Sequence, residues 1–346
     1  MKIALLCNGY GLVNRGAERY TEELYNLLKD DFDITIYGMK TTDISYGMYT
    51  KSRHTFKIPW RNGKAYLESY YFGKKWYEMY KNHRFDLVIN NAGLGGSYWC
   101  SKYRKKTGTP FITLERGGGR EEMINYLFKP DCMIFLTEVS RRTISKFCLP
   151  KVDTYTLPIG INICEFEKKS SKSEFTEGLE HPIFLSTSAM VGFKRIDLII
   201  SAIKNLGYGS LIQTSTGSEK NRIIEFGSKQ LGDNFKYLGV VSRKELLELY
   251  HSCDVFVNAS SKEAFGVVYL EAMASGLPIV TQNDEKRREI IGNCGVFVDC
   301  GNVEMFSRAL GSASKINCVQ LEQVEKYDWN KLKPQYISVI KKVCDI

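Results

Sequence analysis

In EAFGVVYLEAMASG, residues 263–276, two carboxylates, Glu263 and Glu271, flank an apolar stretch broken by Gly266. An ionised carboxylate only accepts hydrogen bonds, so each is suited to holding hydroxyls. The apolar run DVFVNAS just before reads as a strand. A helix is expected to begin near Gly266 or Val267 and to run to Ser275, where Gly276 ends it. Glu263 then falls in the loop at the carboxyl edge of a sheet, where open α/β sheets take their ligands. Gly266 lets a ligand approach the backbone, and the first helical amides, near Val267 and Val268, favour an anion such as phosphate. Glu271 lies further along the helix. Acceptor, anion cradle and second acceptor follow the order in which a nucleotide sugar presents sugar hydroxyls, diphosphate and ribose. The same spacing also fits an amphipathic helix with a solvated Glu, and spacing alone leaves both readings open.

The elements that must position these groups alternate twice along the chain. KIALLCN, DITIYGM, DLVINNA, PFITLE and CMIFLTE read as buried strands in the first half, with helical stretches such as GAERYTEELYNLLKD between some of them. PIFLSTS, LIQTS, FKYLG, DVFVNAS, LPIVTQ and GVFVD follow in the second half, interleaved with KRIDLIISAIKNL, SRKELLELYHSC and VYLEAMA. Ser242 and Glu245 have the spacing of a capping box. Strands this apolar, alternating with helices, predict parallel sheets covered on both faces. The expected fold class is α/β, with two Rossmann-like domains whose sheets face across a central cleft. The expected boundaries are 1–158 for the first domain, 159–181 for a polar linker and 182–330 for the second domain. A crossing helix over 331–346 is expected to rejoin the first domain.

The 346 residues carry a net charge of +9, and the excess lies in the first half. Residues 1–160 hold 25 Lys and Arg against 16 Asp and Glu, whereas residues 161–346 hold 23 of each. In residues 51–81, Lys and Arg alternate with Phe56, Trp60, Tyr66, Tyr70, Tyr71, Phe72, Trp76 and Tyr77, and KYRKK follows at 102–106. Such a mixture suits the headgroup layer of an anionic membrane. It also fits a solvated face over core aromatics, while no motif of a nucleic-acid binder is present. The N-terminal apolar run is too short for a signal peptide, and no run is long enough to span a membrane. A cytoplasmic protein is expected, with the inner face of the cytoplasmic membrane as a place of contact. The ten cysteines include no CxxC, and the four histidines stand apart, so neither a metal site nor a cofactor is expected. Asp31 and Asp33 have a metal-binding spacing but fall between a helix and a strand, where charged turns are routine.

From FKYLGVV to GVFVD, more than sixty residues in order, the chain resembles the donor-binding half of the retaining nucleotide-sugar glycosyltransferases of family four, which have the GT-B fold. RGAER at 15–19, FLTEVSRRTI, LPIGINICEF and FKRIDLII are weaker echoes that extend the resemblance over nearly the whole chain. The resemblance implies that Glu263 binds donor-sugar hydroxyls and Glu271 the ribose. It implies that Phe265, Gly266, Val267 and Val268 lend amides to the sugar and diphosphate, with Lys194 on the diphosphate as the nucleotide leaves. Gly239, Val240 and Val241 would lie along the base. Ser188, Arg195 and Gly217 would line the donor site, and Arg15 with Gly16 would face the phosphates. The implied partners are a UDP- or GDP-type donor and a saccharide or lipid-linked acceptor of surface polysaccharide or lipopolysaccharide synthesis. Two positions depart from the pattern. Ala189 stands where a clamp Arg is usual, and Glu115 stands near the usual acceptor-side His. Glu115 is either an acceptor-side base or a structural carboxylate paired with Arg116 or Arg120. A nucleotide-sugar epimerase and a non-catalytic nucleotide-sugar binder are the rival readings.

Overall fold

The structure is a computed structural model; it describes residues 1–12, 16–39, 63–117, 120–146, 152–166, 174–313 and 321–346. The chain forms two units. One comprises Met1–Ile159 with Leu332–Ile346, the other Gly160–Lys331.

The first unit holds a parallel six-stranded sheet: β1 (Lys2–Leu6), β2 (Asp33–Tyr37), β3 (Leu87–Asn90), β4 (Phe111–Leu114), β5 (Cys132–Phe135) and β6 (Asp153–Thr156). Its order is β2-β1-β3-β4-β5-β6, so the winding reverses between β1 and β3. β3, β4 and β5 are buried throughout, which is why they read as unbroken apolar runs. The edge strand β6, DTYT, was not foreseen; it is half exposed and polar, so it lacks that signature.

The Gly63–Tyr80 and Leu94–Thr107 helices pack on this sheet. Phe72, Trp76 and Tyr103 are fully buried against Val88 and Phe111. Each such ring contributes about 1.5–3 kcal/mol by leaving water. Part of the aromatic series at 51–81 is therefore core, while Tyr70 and Tyr71 remain exposed. Phe56 and Trp60 lie outside the described residues. Of KYRKK, Arg104, Lys105 and Lys106 occupy the last turn of the second helix, where cations complement its dipole. From Leu332 on, the Trp329–Val343 helix belongs to this unit and buries Leu332, Tyr336, Val339 and Ile340.

The second unit holds β7 (Ile183–Ser186), β8 (Ser210–Thr214), β9 (Phe235–Gly239), β10 (Val255–Asn258), β11 (Ile279–Gln282) and β12 (Gly295–Val298), again all parallel. The order β12-β11-β10-β7-β8-β9 reverses between β7 and β10. The Ile196–Leu206 helix buries Ile199, Ile200 and Ile203 at helical spacing against Phe184, Leu211 and Val255. It ends at Gly207, whose φ of 85° suits the left-handed cap. Ser242 and Glu245 form the capping box at the start of the Arg243–Ser252 helix. No described helix is long and apolar enough to cross a membrane.

Candidate functional site

Ligands of open parallel sheets bind where the winding reverses, outside the carboxyl ends of the strands. In the second unit those ends are β7 and β10, and the loops that follow them carry Lys194 and Glu263. After β10, Asn258 Oδ1 accepts the Ser260 amide at 2.8 Å and turns the chain. The loop then runs to Gly266, which has φ 87° and precedes the Val267–Ala274 helix. A Cβ at Gly266 would strike the Tyr269 ring, so glycine is required for both conformation and space. Tyr269 N reaches Gly266 O at 2.9 Å, while the amides of Val267 and Val268 meet no acceptor among the described residues. These are the groups to which an anion binds at a helix start.

After β7 the chain makes a 3₁₀ turn, Gly192–Lys194. Lys194 Nζ lies 2.6 Å from Glu263 Oε2, with both side chains mostly buried, 16% and 18% exposed. The two loops are joined by more than this pair. Phe193 O accepts from Ser261 N at 2.8 Å and from Ser261 Oγ at 3.1 Å. Arg195, at φ 50°, donates from Nε to Ala259 O and from Nη2 to Gln282 Oε1, each at 2.6 Å. Its guanidinium is thus directed at the frame of the loop.

Glu271 is 1% exposed. Its Oε1 accepts from Arg243 Nη1 at 2.7 Å and its Oε2 from the Tyr250 hydroxyl at 3.0 Å. Arg243 also donates to Glu165 Oε2 at 2.9 Å and stacks 4.9 Å from the Phe166 ring centre. Burial, reinforced by the Glu271 charge, holds the Tyr250 phenol well above its ordinary range. The remaining residues expected on the donor side are scattered along the same sheet edge. Gly239, φ 73°, accepts the Ser215 amide at 2.5 Å. Val240 is 77% exposed beside it, and Val241 is half buried. Ser188 is buried, and its carbonyl accepts from Gln213 Nε2 at 2.8 Å. A side chain at Gly217 would strike the Met190 backbone. Phe265 is buried edge-on to Tyr327. Ala189 O accepts the Val191 amide at 2.9 Å.

The first unit carries a different edge. Arg15 lies outside the described residues, and Gly16 opens the Gly16–Leu28 helix, exposed. Glu115, at the end of β4, is 1% exposed and accepts the Leu136 amide on Oε2 at 2.7 Å. Glu122 was not singled out from the sequence and is equally buried. Its Oε1 accepts the amides of Arg116 and Gly117 at 3.0 and 3.3 Å, and its Oε2 accepts Asn125 Nδ2 at 3.1 Å. Burial raises its carboxyl to about 7; the nearby Glu115 charge adds to the rise and the hydrogen bonds oppose it. Asp31 pairs with Lys333 at 2.8 Å. No cluster of His, Cys, Asp and Glu among the described residues could hold a metal ion.

Residues 167–328 match the family described as Glycosyl transferases group 1. Over 192 residues the chain is 25% identical to the alpha-monoglucosyldiacylglycerol synthase of Streptococcus pneumoniae, a match covering 50% of this chain and 43% of that protein. It is 29% identical over 127 residues to O-antigen chain mannosyltransferase B of Escherichia coli, covering 35% of this chain and 33% of that one. The chain thus spans less than half the length of these relatives. Among solved structures, sucrose-phosphate synthase from Thermosynechococcus elongatus superposes with a TM-score of 0.80 at 17% identity, over 99% of this chain and 98% of that one. Anabaena Alr3699/HepE in complex with UDP superposes with a TM-score of 0.76 at 14% identity, over 99% of this chain and 100% of that one. The fold is GT-B.

Proposed function

We propose that this protein is an active transferase, since residues 167–328 match the group 1 glycosyl transferases on a chain with the GT-B fold. It moves a sugar from a nucleoside diphosphate donor, with retention at the anomeric carbon, to a saccharide or lipid-linked acceptor. The observation that carries this reading is the Lys194–Glu263 pair beside the unpartnered amides of Val267 and Val268. Lys194 and Glu263 neutralise each other in this structure. A bound donor re-partners both: Lys194 turns to the diphosphate, and Glu263 accepts sugar hydroxyls. The helix amides receive a phosphate oxygen, and the buried Glu271 carboxylate, held by Arg243 and Tyr250, accepts from the ribose. As the sugar–oxygen bond breaks, charge grows on the departing diphosphate. Fixed groups aimed at that charge stabilise the transition state without reorganising, and losing one typically costs roughly 3 kcal/mol. Lys194 and the helix start supply this charge in the proposed metal-independent reaction. The exposed Tyr70, Tyr71, Lys74 and Lys75 of the first unit suit peripheral contact with an anionic membrane, and so an acceptor held there.

A thermal shift assay with nucleoside diphosphates and their sugars, with and without EDTA, tests the donor site, since binding to the folded state raises the melting temperature. The expected result is a rise with a UDP or GDP series that survives EDTA and is abolished by Glu271→Ala. No shift with any nucleotide would sink the proposal. Turnover of donor that requires acceptor separates a transferase from an epimerase or a silent binder, and NMR of the product anomer tests retention.

A further inference from the structure

The donor site lacks a second cation at Ala189, yet a buried guanidinium stands behind the Glu263 loop. Arg287, on the Glu285–Ile291 helix, is 3% exposed. Its Nη2 donates to Ser260 O at 2.6 Å, and its Nε donates to the Tyr269 hydroxyl at 2.9 Å. Its Nη1 pairs with Asp284, the N-cap of the same helix. Ser260 begins the loop that carries Glu263, and Tyr269 lies in the first turn of the helix whose amides face the diphosphate. The Tyr269 hydroxyl continues to Thr281 Oγ1 at 3.1 Å, which donates to Asn258 O at 2.8 Å. One planar fork therefore joins the start of the Ala259–Gly266 loop to the first turn of the helix that follows it, and the Tyr269 hydroxyl carries the bonds on to β11 and β10. Lysine, a point charge, cannot span both acceptors.

We propose that Arg287 is a positioning residue that sets the direction of Glu263 and of the Val267–Val268 amides through Ser260 and Tyr269, without touching the donor. This rests on the donor-site reading above. A loop of small residues, Ala259, Ser260, Ser261, would otherwise sample many backbone states, and a carboxylate displaced by an ångström loses its transition-state contact. Arg195 holds the same loop through Ala259 O.

The test uses the full chain with Arg287→Met, Arg287→Lys and Tyr269→Phe. Two readouts are taken on each: steady-state kinetics with donor and acceptor, and native-state trypsin cleavage after Lys262, an exposed residue inside the loop. Loosening the loop raises the population open to cleavage. Arg287→Met is expected to lower kcat at least tenfold with donor KM changed less than threefold, and to speed cleavage after Lys262 about tenfold. Arg287→Lys is expected to recover melting temperature but not kcat, and Tyr269→Phe to show the same signs with smaller size. Unchanged cleavage, unchanged kcat, or full recovery of kcat by Lys would each overturn the proposal. If Arg287→Met does not fold, the other two variants decide. If the wild-type chain turns over no nucleotide sugar, the donor reading fails, and the cleavage rates alone decide whether Arg287 holds the loop.

Discussion

The two sheets reverse their winding in the same way, between β1 and β3 in one unit and between β7 and β10 in the other, but they equip the resulting edges differently. At the second edge, a carboxylate and an ammonium hold each other, and neighbouring helix amides have no acceptor among the described residues. At the first edge, Glu115 and Glu122 are buried and take backbone amides of their own surroundings. A side-chain pair that is partly open to water can exchange partners when a ligand arrives. A carboxylate that closes its own loop cannot leave without unmaking that loop. Topology thus chooses where a site lies, and the partner each charge finds decides whether that charge is exchangeable.

The exchangeable pair at the second edge should carry the largest effect. Lys194→Ala and Glu263→Gln are each expected to lower kcat by about 10²–10³, some 3–4 kcal/mol at the transition state. Melting temperatures should fall as well, because each change leaves the other, mostly buried charge without its partner, so kcat is read per folded molecule. Transfer rates measured at saturating donor check this, and wild-type kcat in both variants would remove the second edge from the chemistry.

The first edge makes a pH-dependent prediction. The folded Glu122 carboxyl sits at about 7, above its ordinary 4.5, so the folded chain holds that proton more tightly than the unfolded chain does. Its neutral form is fully present in both states below 4.5, and the stability tied to it is lost as pH rises from there through 7. The loss is on the order of 3 kcal/mol at most. Glu122→Gln keeps a carbonyl oxygen for the amides of Arg116 and Gly117 and cannot ionise. Its melting temperature relative to wild type should therefore improve between pH 5 and pH 8. Parallel pH profiles for the two proteins would show that Glu122 ionises in the fold as readily as in the unfolded chain.

Burial also explains what the sequence disclosed and what it hid. The central strands were legible because both of their faces are covered, whereas DTYT at the edge has no buried residue and no apolar run. Glu263 was legible from its place after a strand and Lys194 from the family resemblance, but their contact across 69 positions depends on β7 lying beside β10. Arg287 and Arg243 lie in charge-rich runs, DEKRRE and SRKELLE, that read as solvated faces. A finer signal was available for one of them. Arg287 shares a helix face with Ile290 and Ile291, three and four positions on, and all three are buried. Glu122 stands in the same relation to Asn125 and Tyr126, which are also buried.

The smallest expected effect concerns how the first unit holds its C-terminal helix. Tyr20 and Tyr336 share a buried hydrogen bond of 2.7 Å, and the Tyr336 hydroxyl also lies 3.1 Å from Leu157 O and from Pro158 O. Tyr336 has one proton, and the carbonyls can only accept, so it donates to them while Tyr20 donates to it. Tyr20→Phe then removes one donor and leaves Tyr336 bonded, a loss of about 1 kcal/mol. Tyr336→Phe leaves the Tyr20 hydroxyl without its acceptor and strips a donor from the carbonyls, so its cost should be larger, roughly 1–3 kcal/mol. Urea denaturation of the two single variants and the double variant measures both. If Tyr20→Phe proves the costlier, the Tyr20 hydroxyl does more than donate to Tyr336. If neither matters, packing of Leu332, Val339 and Ile340 alone holds the helix, and the buried polar pair contributes geometry without net stability.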